Sequence, residues 1–330
     1  MGLSGAWGEY LNATGDAYFA ETLGLRSPYS LQIWGRETGM KPTTKIREII
    51  NRTATTIMPA VGDPFSARLV KAEGYETVMV SGNATSAMRL GLPDVSLLTL
   101  TENAETVRRV YDATGLAVFA DADTGYGNAI SLRRTVRELE RAGAAAIMFE
   151  DQIFPKRCGM LAGKALVTTE EMVDKVRAAV NARQDHDLVI VARTDAVSVE
   201  GFQAALDRSH AYVEAGADAI YVGGPRSEAE VTTLAREITK PQLYNITPAG
   251  SVPRLNVDAL SALGFRLLTF SVYLVLMGIP PMRKMLRDLA KTGDVDIATN
   301  GAASLDEYHA LLDLDGWSDT ISRIKSMAAS

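Results

Sequence analysis

The chain has 330 residues, 47% of them hydrophobic and 22% charged, with a formal net charge of -6. That composition suits a folded, enzyme-sized protein and excludes the basic footprint of a nucleic-acid binder. One cysteine, Cys158, excludes an internal disulfide and points to a reducing, cytoplasmic setting.

Residues 1–54 carry helix-like pieces interrupted by Pro28 and Pro42 and read as a helical N-terminal extension. The opening MGLSGAWGEY has neither the charged n-region nor the apolar h-region of a secretory signal. From residue 55, short β-branched runs alternate with longer amphipathic ones. The predicted strands are TTIMPAV (55–61), ETVMVSG (76–82), AVFADAD (117–123), AAIMFED (145–151), DLVIVARTDA (187–196), AIYVGG (219–224), QLYNIT (242–247) and FRLLTFS (265–271). Apolar strands flanked by helices mean a parallel sheet buried on both faces. Eight such βα units over about 220 residues mean a (β/α)8 TIM barrel, placed at 55–292. Between strands, AISLRRTVRELERAG puts Leu132, Val136 and Leu139 on one helical face, with Glu138 and Arg141 pointing away. The longest apolar stretch, FRLLTFSVYLVLMGIPPM, is broken by Arg266 and reaches Pro280; it is too short to span a bilayer and reads as a strand running into a helix. Residues 293–330 form a C-terminal helical extension, with helices near LDEYHALL and SDTISRIKSM.

In such a barrel the C-terminal strand ends carry the chemistry. Here they are polar: Ser81-Gly82-Asn83 after the second strand, Asp121 to Gly127 after the third, Glu150-Asp151-Gln152 after the fourth, Arg193-Thr194-Asp195 after the fifth and Asn245-Ile246-Thr247 after the seventh. Asp121, Asp123 and Glu150 converge on one mouth, where three carboxylates repel unless a proton or cation sits between them. Oxygen ligands without histidine favour Mg2+ or Mn2+; the bland alternative is that the acids cap helices. Arg193 offers a planar fork for a substrate carboxylate, or a structural ion pair with Asp121 or Glu150. Ser81, Gly82 and Asn83 offer backbone N–H groups as a carboxylate seat, or form a plain turn. His186, His210 and His309 lie away from the strand ends, so acid–base work does not rest on imidazole. That turns attention to EDQIFPKRCGML. Cys158 is either a small buried filler or a working thiol whose neighbours Lys156 and Arg157 lower its pKa. The segment PKRCGMLAGK, with two glycines and no periodicity, suits a mobile lid.

Together these residues resemble the isocitrate lyase and phosphoenolpyruvate mutase superfamily, over about residues 45 to 285. SGNATSAMRLGLPD is similar to its SG...LGLPD segment, DADTGYGN to its metal loop, EDQIFPKRCG to its KxCG gating loop and VARTDA to its arginine strand. Within it, the pattern is nearest to the group of alkylmalate lyases, petal death protein and oxaloacetate hydrolases. The resemblance implies a homotetramer with a swapped C-terminal helix. It implies Mg2+ around Asp121, Asp123, Glu150 and Asp94, and a 2-oxo or 2-hydroxy carboxylate on Ser81, Gly82 and Arg193, with Asn245 and Thr247 at its far end. Cys158 would protonate a departing carbanion, with Lys156 beside it. There are departures. Met160 stands where the lyases have His, Gly223 and Pro248 where they have Glu, and Met79 where isocitrate and methylisocitrate lyases have Tyr. A pocket without those hydrogen-bonders rejects substrates that need them. The expected function is therefore a Mg2+-dependent carbon–carbon lyase or hydrolase of a 2-hydroxy or 2-oxo (di)carboxylic acid, acting through an enolate-type intermediate and not on isocitrate or methylisocitrate. Met160 and Gly223 would line its substrate space. The alternatives are phosphonomutase-like C–P chemistry, whose enzymes have KxNS where this chain has Cys158 and Gly159, or a barrel that binds a ligand without catalysis. Neither nucleic acid nor membrane is an expected partner.

Overall fold

The computed structural model describes residues 39–248 and 252–327. Eight strands follow in chain order: β1 (Thr56–Val61), β2 (Thr77–Val80), β3 (Ala117–Asp121), β4 (Ala144–Glu150), β5 (Val189–Thr194), β6 (Ala219–Val222), β7 (Leu243–Ile246) and β8 (Leu267–Phe270). Each falls on one of the predicted runs. Hydrogen-bonded neighbours run β6-β5-β4-β3-β2-β1-β8-β7, every pair parallel. The ring closes between β6 and β7 through the bridge Ile220–Gln242, beside which the Ile220 N–H donates to the Pro241 carbonyl at 3.0 Å. This is the TIM-barrel architecture.

Side-chain alternation sorts each strand into two cores. Val78 and Val80, Val118 and Ala120, Ile147 and Phe149, Ile190 and Ala192 face outward and pack on the helices. Met58 and Ala60, Met79, Phe119, Met148, Val191, Leu243 and Leu267 face inward and fill the barrel. Continuing the inward parity by one step brings Ser81, Asp121, Glu150, Arg193, Asn245 and Thr269 to the C-terminal mouth. The apolar layer is thus a floor, and the next inward residue on most strands is polar.

The other end is plugged. Helix Pro42–Asn51, within the stretch read as an extension, buries Ile46, Ile49 and Ile50 in the inner core. Arg47 fixes it to Asp218 at 2.7 Å. The remainder of the expected N-terminal extension, with Pro28, lies outside the described residues. Helix Ala129–Arg141 buries Leu132, Val136 and Leu139 as its spacing predicts, each worth about 1.5–3 kcal/mol over exposure. Its N-cap, Asn128, accepts the Ile130 and Ser131 N–H groups at 3.1 Å, which ties down the DADTGYGN loop before it.

After β8, helix Tyr273–Thr292 runs on through Pro280 and Pro281, and none of its residues is fully buried. Helices Leu305–Leu311 and Leu314–Met327 occupy the two predicted C-terminal positions. The first packs on helix Pro64–Ala72 through the Phe65–Tyr308 ring pair. Among the described residues no helix is long and apolar enough to cross a membrane.

Candidate active site

A cavity of about 320 Å³ opens at the C-terminal mouth. Ser81, Asn83, Asp94, Asp121, Lys156, Cys158, Met160, Arg193, Gly223, Asn245 and Thr247, all anticipated from the sequence, line it. Asp123 and Glu150 are buried beside it.

The DADTGYGN loop turns sharply, with Asp123 and Tyr126 in left-handed conformations (φ 49° and 58°). Asn103, from helix Leu100–Thr114, holds the turn by donating to the Asp121 carbonyl at 2.7 Å and to the Tyr126 hydroxyl at 2.9 Å. Asp121 accepts the Gly82 N–H at 3.2 Å through one oxygen and the Asp123 N–H at 3.2 Å through the other. The carboxylate seat expected at Ser81 and Gly82 is therefore partly taken. The Gly82 donor serves Asp121, and the Ser81 hydroxyl oxygen caps its own short helix by accepting the Ala84 N–H.

Lys156 reaches down from the loop after β4 and meets Asp94 at 2.6 Å and Asp123 at 2.7 Å. Arg193 pairs with Glu150 at 2.8 Å and Asp195 at 2.9 Å, and lies 5.3 Å over the Tyr221 ring. The ion-pair alternative for Arg193 is thus realised with Glu150, and with Asp195 rather than Asp121. A guanidinium has five N–H donors, so these pairs leave others for a ligand. Lys164 completes the ring, donating to the Gly159 carbonyl at 2.7 Å and facing Asp195 at 3.4 Å.

Burial pushes the Asp123 carboxyl up to about 6, against the pull of Lys156 and with added repulsion from Asp121 and Asp94. Burial likewise pushes Glu150 well above the usual carboxylate range, although Arg193 opposes it. Asp195 goes the other way: its burial is outweighed by Arg193 and Lys164, which hold it down to about 2. The thiol reading needs correcting. Burial raises the Cys158 pKa, and the lowering effect of Lys156 does not overcome it. Arg157 points elsewhere, donating to the Ala162 carbonyl at 2.9 Å. Cys158 is therefore held as S–H, the form of a proton donor.

The four acids assigned to a metal share one mouth without closing on a single point. Among the described residues no three His, Cys, Asp or Glu side chains are arranged to enclose an ion, because Lys156 stands between Asp94 and Asp123 and Arg193 holds Glu150. Other features fit a hard cation. Asp123 Oδ1 and Glu150 Oε2 face cations yet accept no aligned hydrogen bond. A Cβ on Gly82 would lie 2.7 Å from Asp123 Oδ1 and 3.3 Å from Asp121 Oδ2, so glycine keeps that space open. Five carboxyl groups (Asp94, Asp121, Asp123, Glu150, Asp195) surround three cations (Lys156, Lys164, Arg193), so oxygen donors outnumber the cations they face. All-oxygen donors of this kind suit an ion that keeps most of its waters.

Four further residues belong to the site. Gln152 spans loop and barrel: its amide donates to Glu150 at 3.0 Å, to Asp195 at 3.2 Å and to the Arg157 carbonyl at 3.0 Å. Asp195 and Tyr221, like Gln152, sit two positions beyond an inward residue, a signal present in the sequence. Lys164, from the aperiodic loop, gave none.

The family model described as "Phosphoenolpyruvate phosphomutase" matches residues 46–290. The chain belongs to this family. It is an enzyme of the superfamily, several of whose curated relatives are named as lyases. It is 42% identical over 258 residues to the 2-methylisocitrate lyase of Aeropyrum pernix, covering 78% of this chain and 83% of that one. It is 37% identical over 279 residues to the 2,3-dimethylmalate lyase of Eubacterium barkeri, covering 84% and 96%. Among solved structures, a 2,3-dimethylmalate lyase superposes with a TM-score of 0.81 at 29% identity, covering 86% of this chain and 96% of that one. An oxaloacetate acetylhydrolase with 3,3-difluorooxalacetate superposes at 0.80 and 30% identity, covering 87% and 97%. A phosphonopyruvate hydrolase complexed with oxalate and Mg++ superposes at 0.76 and 26% identity, covering 88% and 99%.

Proposed function

We propose that the protein is a Mg2+-dependent carbon–carbon lyase for a 2-hydroxy or 2-oxo dicarboxylic acid carrying apolar substituents, of the alkylmalate kind. The observation that carries this reading is one cavity lined at once by Cys158, Arg193 and Asp121, with Met79, Met160 and Leu161 as apolar wall.

Asp121 and Asp123, with Glu150 and Asp94 around them, would hold the ion, through water for most contacts. Mg2+ supplies Lewis-acid stabilisation of negative charge developing on a bound carbonyl or hydroxyl oxygen. The rest is the work of the chain. Arg193 orients a substrate carboxylate, its planar fork held in place by Glu150 and Asp195. For a 2-hydroxy acid, the C2–C3 bond breaks, the hydroxyl proton passes to a carboxylate of the mouth, and C2 becomes a carbonyl carbon, a ketone where it carries an alkyl group. The electron pair left on C3 takes the Cys158 proton. Gln152, Lys156 and Lys164 keep the loop seated over the cavity and water out. The oligomer proposed is a homotetramer, which would cover the apolar side chains left exposed on the C-terminal helices, such as Met277 (69% exposed), Leu286 (61%) and Ile324 (58%).

A second reading is a methylisocitrate lyase, favoured by the 42% identity with that relative. NMR of a substrate panel decides between them: oxaloacetate, alkylmalates, methylisocitrate and phosphonopyruvate, each with protein and Mg2+, with and without EDTA. Metal-dependent cleavage of an alkylmalate is the expected result. Cleavage of methylisocitrate alone selects the second reading, and turnover of the phosphonate alone overturns both.

A further inference from the structure

Met160, beside Cys158, brings no polar side chain to the thiol, yet the sulphur is not without partners. Asn83 Nδ2 donates to Cys158 Sγ at 3.3 Å, and the nearby Met160 backbone amide favours the ionised sulphur. Asn83 stands in the first turn of helix Gly82–Thr85, directly after β2. The donor therefore belongs to the barrel rim, whereas the thiol belongs to the loop. An amide N–H can only donate. A sulphur that accepts this bond turns its own proton away from the donor, and Cys158 faces the cavity. Once that proton has left, the same donor meets a thiolate, and a hydrogen bond to a charged acceptor is the stronger kind.

We propose that Asn83 is a positioning residue for Cys158: it aims the S–H into the cavity and stabilises the thiolate left after proton transfer. The proposal rests on the proton-donor reading of Cys158. The charged groups acting on the thiol are Asp94, which opposes its ionisation, and Lys156, which favours it. Lys156 is committed to Asp94 and Asp123, so a neutral donor has a distinct part to play.

Cys158 is the sole cysteine, so iodoacetamide reads it alone in the whole protein. Asn83→Leu keeps the size and removes the donor; Asn83→Asp keeps the shape and puts a charge in its place. The quantity measured is the pH midpoint of alkylation in EDTA, which does not depend on how easily the reagent passes the loop. Expected is a higher midpoint in both variants, further in Asn83→Asp, with the thiolate fraction at fixed pH about tenfold lower in Asn83→Leu, the scale of one lost hydrogen bond to a charged group. An unchanged midpoint in both overturns the proposal. The second arm is turnover of whichever acid the wild type consumes. A kcat that falls at constant KM supports the proposal, and a wild-type kcat in Asn83→Leu overturns it. If the wild type consumes no acid, the proton-donor reading fails, while a shifted midpoint still supports the aiming and charge-stabilising contact. The two failures are thereby distinguishable.

Discussion

Asp123 gives the sharpest test of the charge arrangement, because its stability effect and its ligand role have opposite signs. Its carboxyl rises from an ordinary 3.8 to about 6, chiefly through burial. Above pH 6 the folded state carries a buried charge that the unfolded state holds in water, which costs about 3 kcal/mol at about 1.36 kcal/mol per decade of proton affinity. Between about pH 6 and 4 the folded state binds the proton and the unfolded state does not. From this group, stability therefore rises as pH falls through that window. Asp123→Asn resembles the protonated form at every pH. In EDTA at pH 7.5 the variant should be more stable than wild type by about 3 kcal/mol, with the gap closing toward pH 4. With Mg2+ at about a thousand times its Kd the order should reverse, since a ligand that binds only the folded state then adds about 4.1 kcal/mol, and only wild type keeps the carboxylate that binds it. Urea unfolding followed by tryptophan fluorescence measures both arms. An Asp123→Asn protein less stable than wild type in EDTA would refute the reasoning, because the Lys156–Asp123 pair would then be net stabilising.

Asp195→Asn should do the opposite. The fall from 3.8 to about 2 contributes about 2.4 kcal/mol, present above pH 3.8 and lost as pH drops toward 2. The variant should lose that much in urea unfolding at pH 7 and converge with wild type at pH 2. Gly223→Ala puts a Cβ 2.7 Å from Asp195 Oδ1 and should cost about 1–3 kcal/mol with a raised KM, since Asp195 must shift and Arg193 with it; an unaltered KM would separate Asp195 from substrate binding. Cys158→Ser should lower kcat by about 10²–10⁴ with KM retained; full activity in steady-state assay would remove Cys158 from proton transfer.

The barrel was legible because its signals are local. Short, continuously apolar β-branched runs bounded by Gly, Asp and Ser mark strands wherever they pack, and the intervening 3.6-residue periodicity marks helices. Helix Pro42–Asn51 shows where local reading stops. Ile46, Ile49 and Ile50 form an ordinary amphipathic stripe, and nothing near them says that the helix packs against β3, β4 and β5, whose Phe119, Met148 and Val191 share its core. Tertiary contact decides between a plug and an extension.

The site divides along the same line. Inward parity carries Asp121, Glu150 and Arg193 to the mouth, and it carries Gln152, Asp195 and Tyr221 there too, so the rule could have been pressed further. The aperiodic loop obeys no such rule. Lys156 and Arg157 adjoin Cys158 in sequence, and adjacency predicted an acidified thiol. In the fold Lys156 is drawn off to two carboxylates, Arg157 turns back on its own loop, and burial raises the pKa. The residue that does reach the sulphur, Asn83, is 75 positions away. A thiol's chemistry depends on its burial and on where its donors point, and neither is a property of the neighbouring letters. For a proton donor the correction has a mechanistic consequence. A thiol kept protonated at neutral pH until a carbanion forms beside it is better matched to that step than one already ionised.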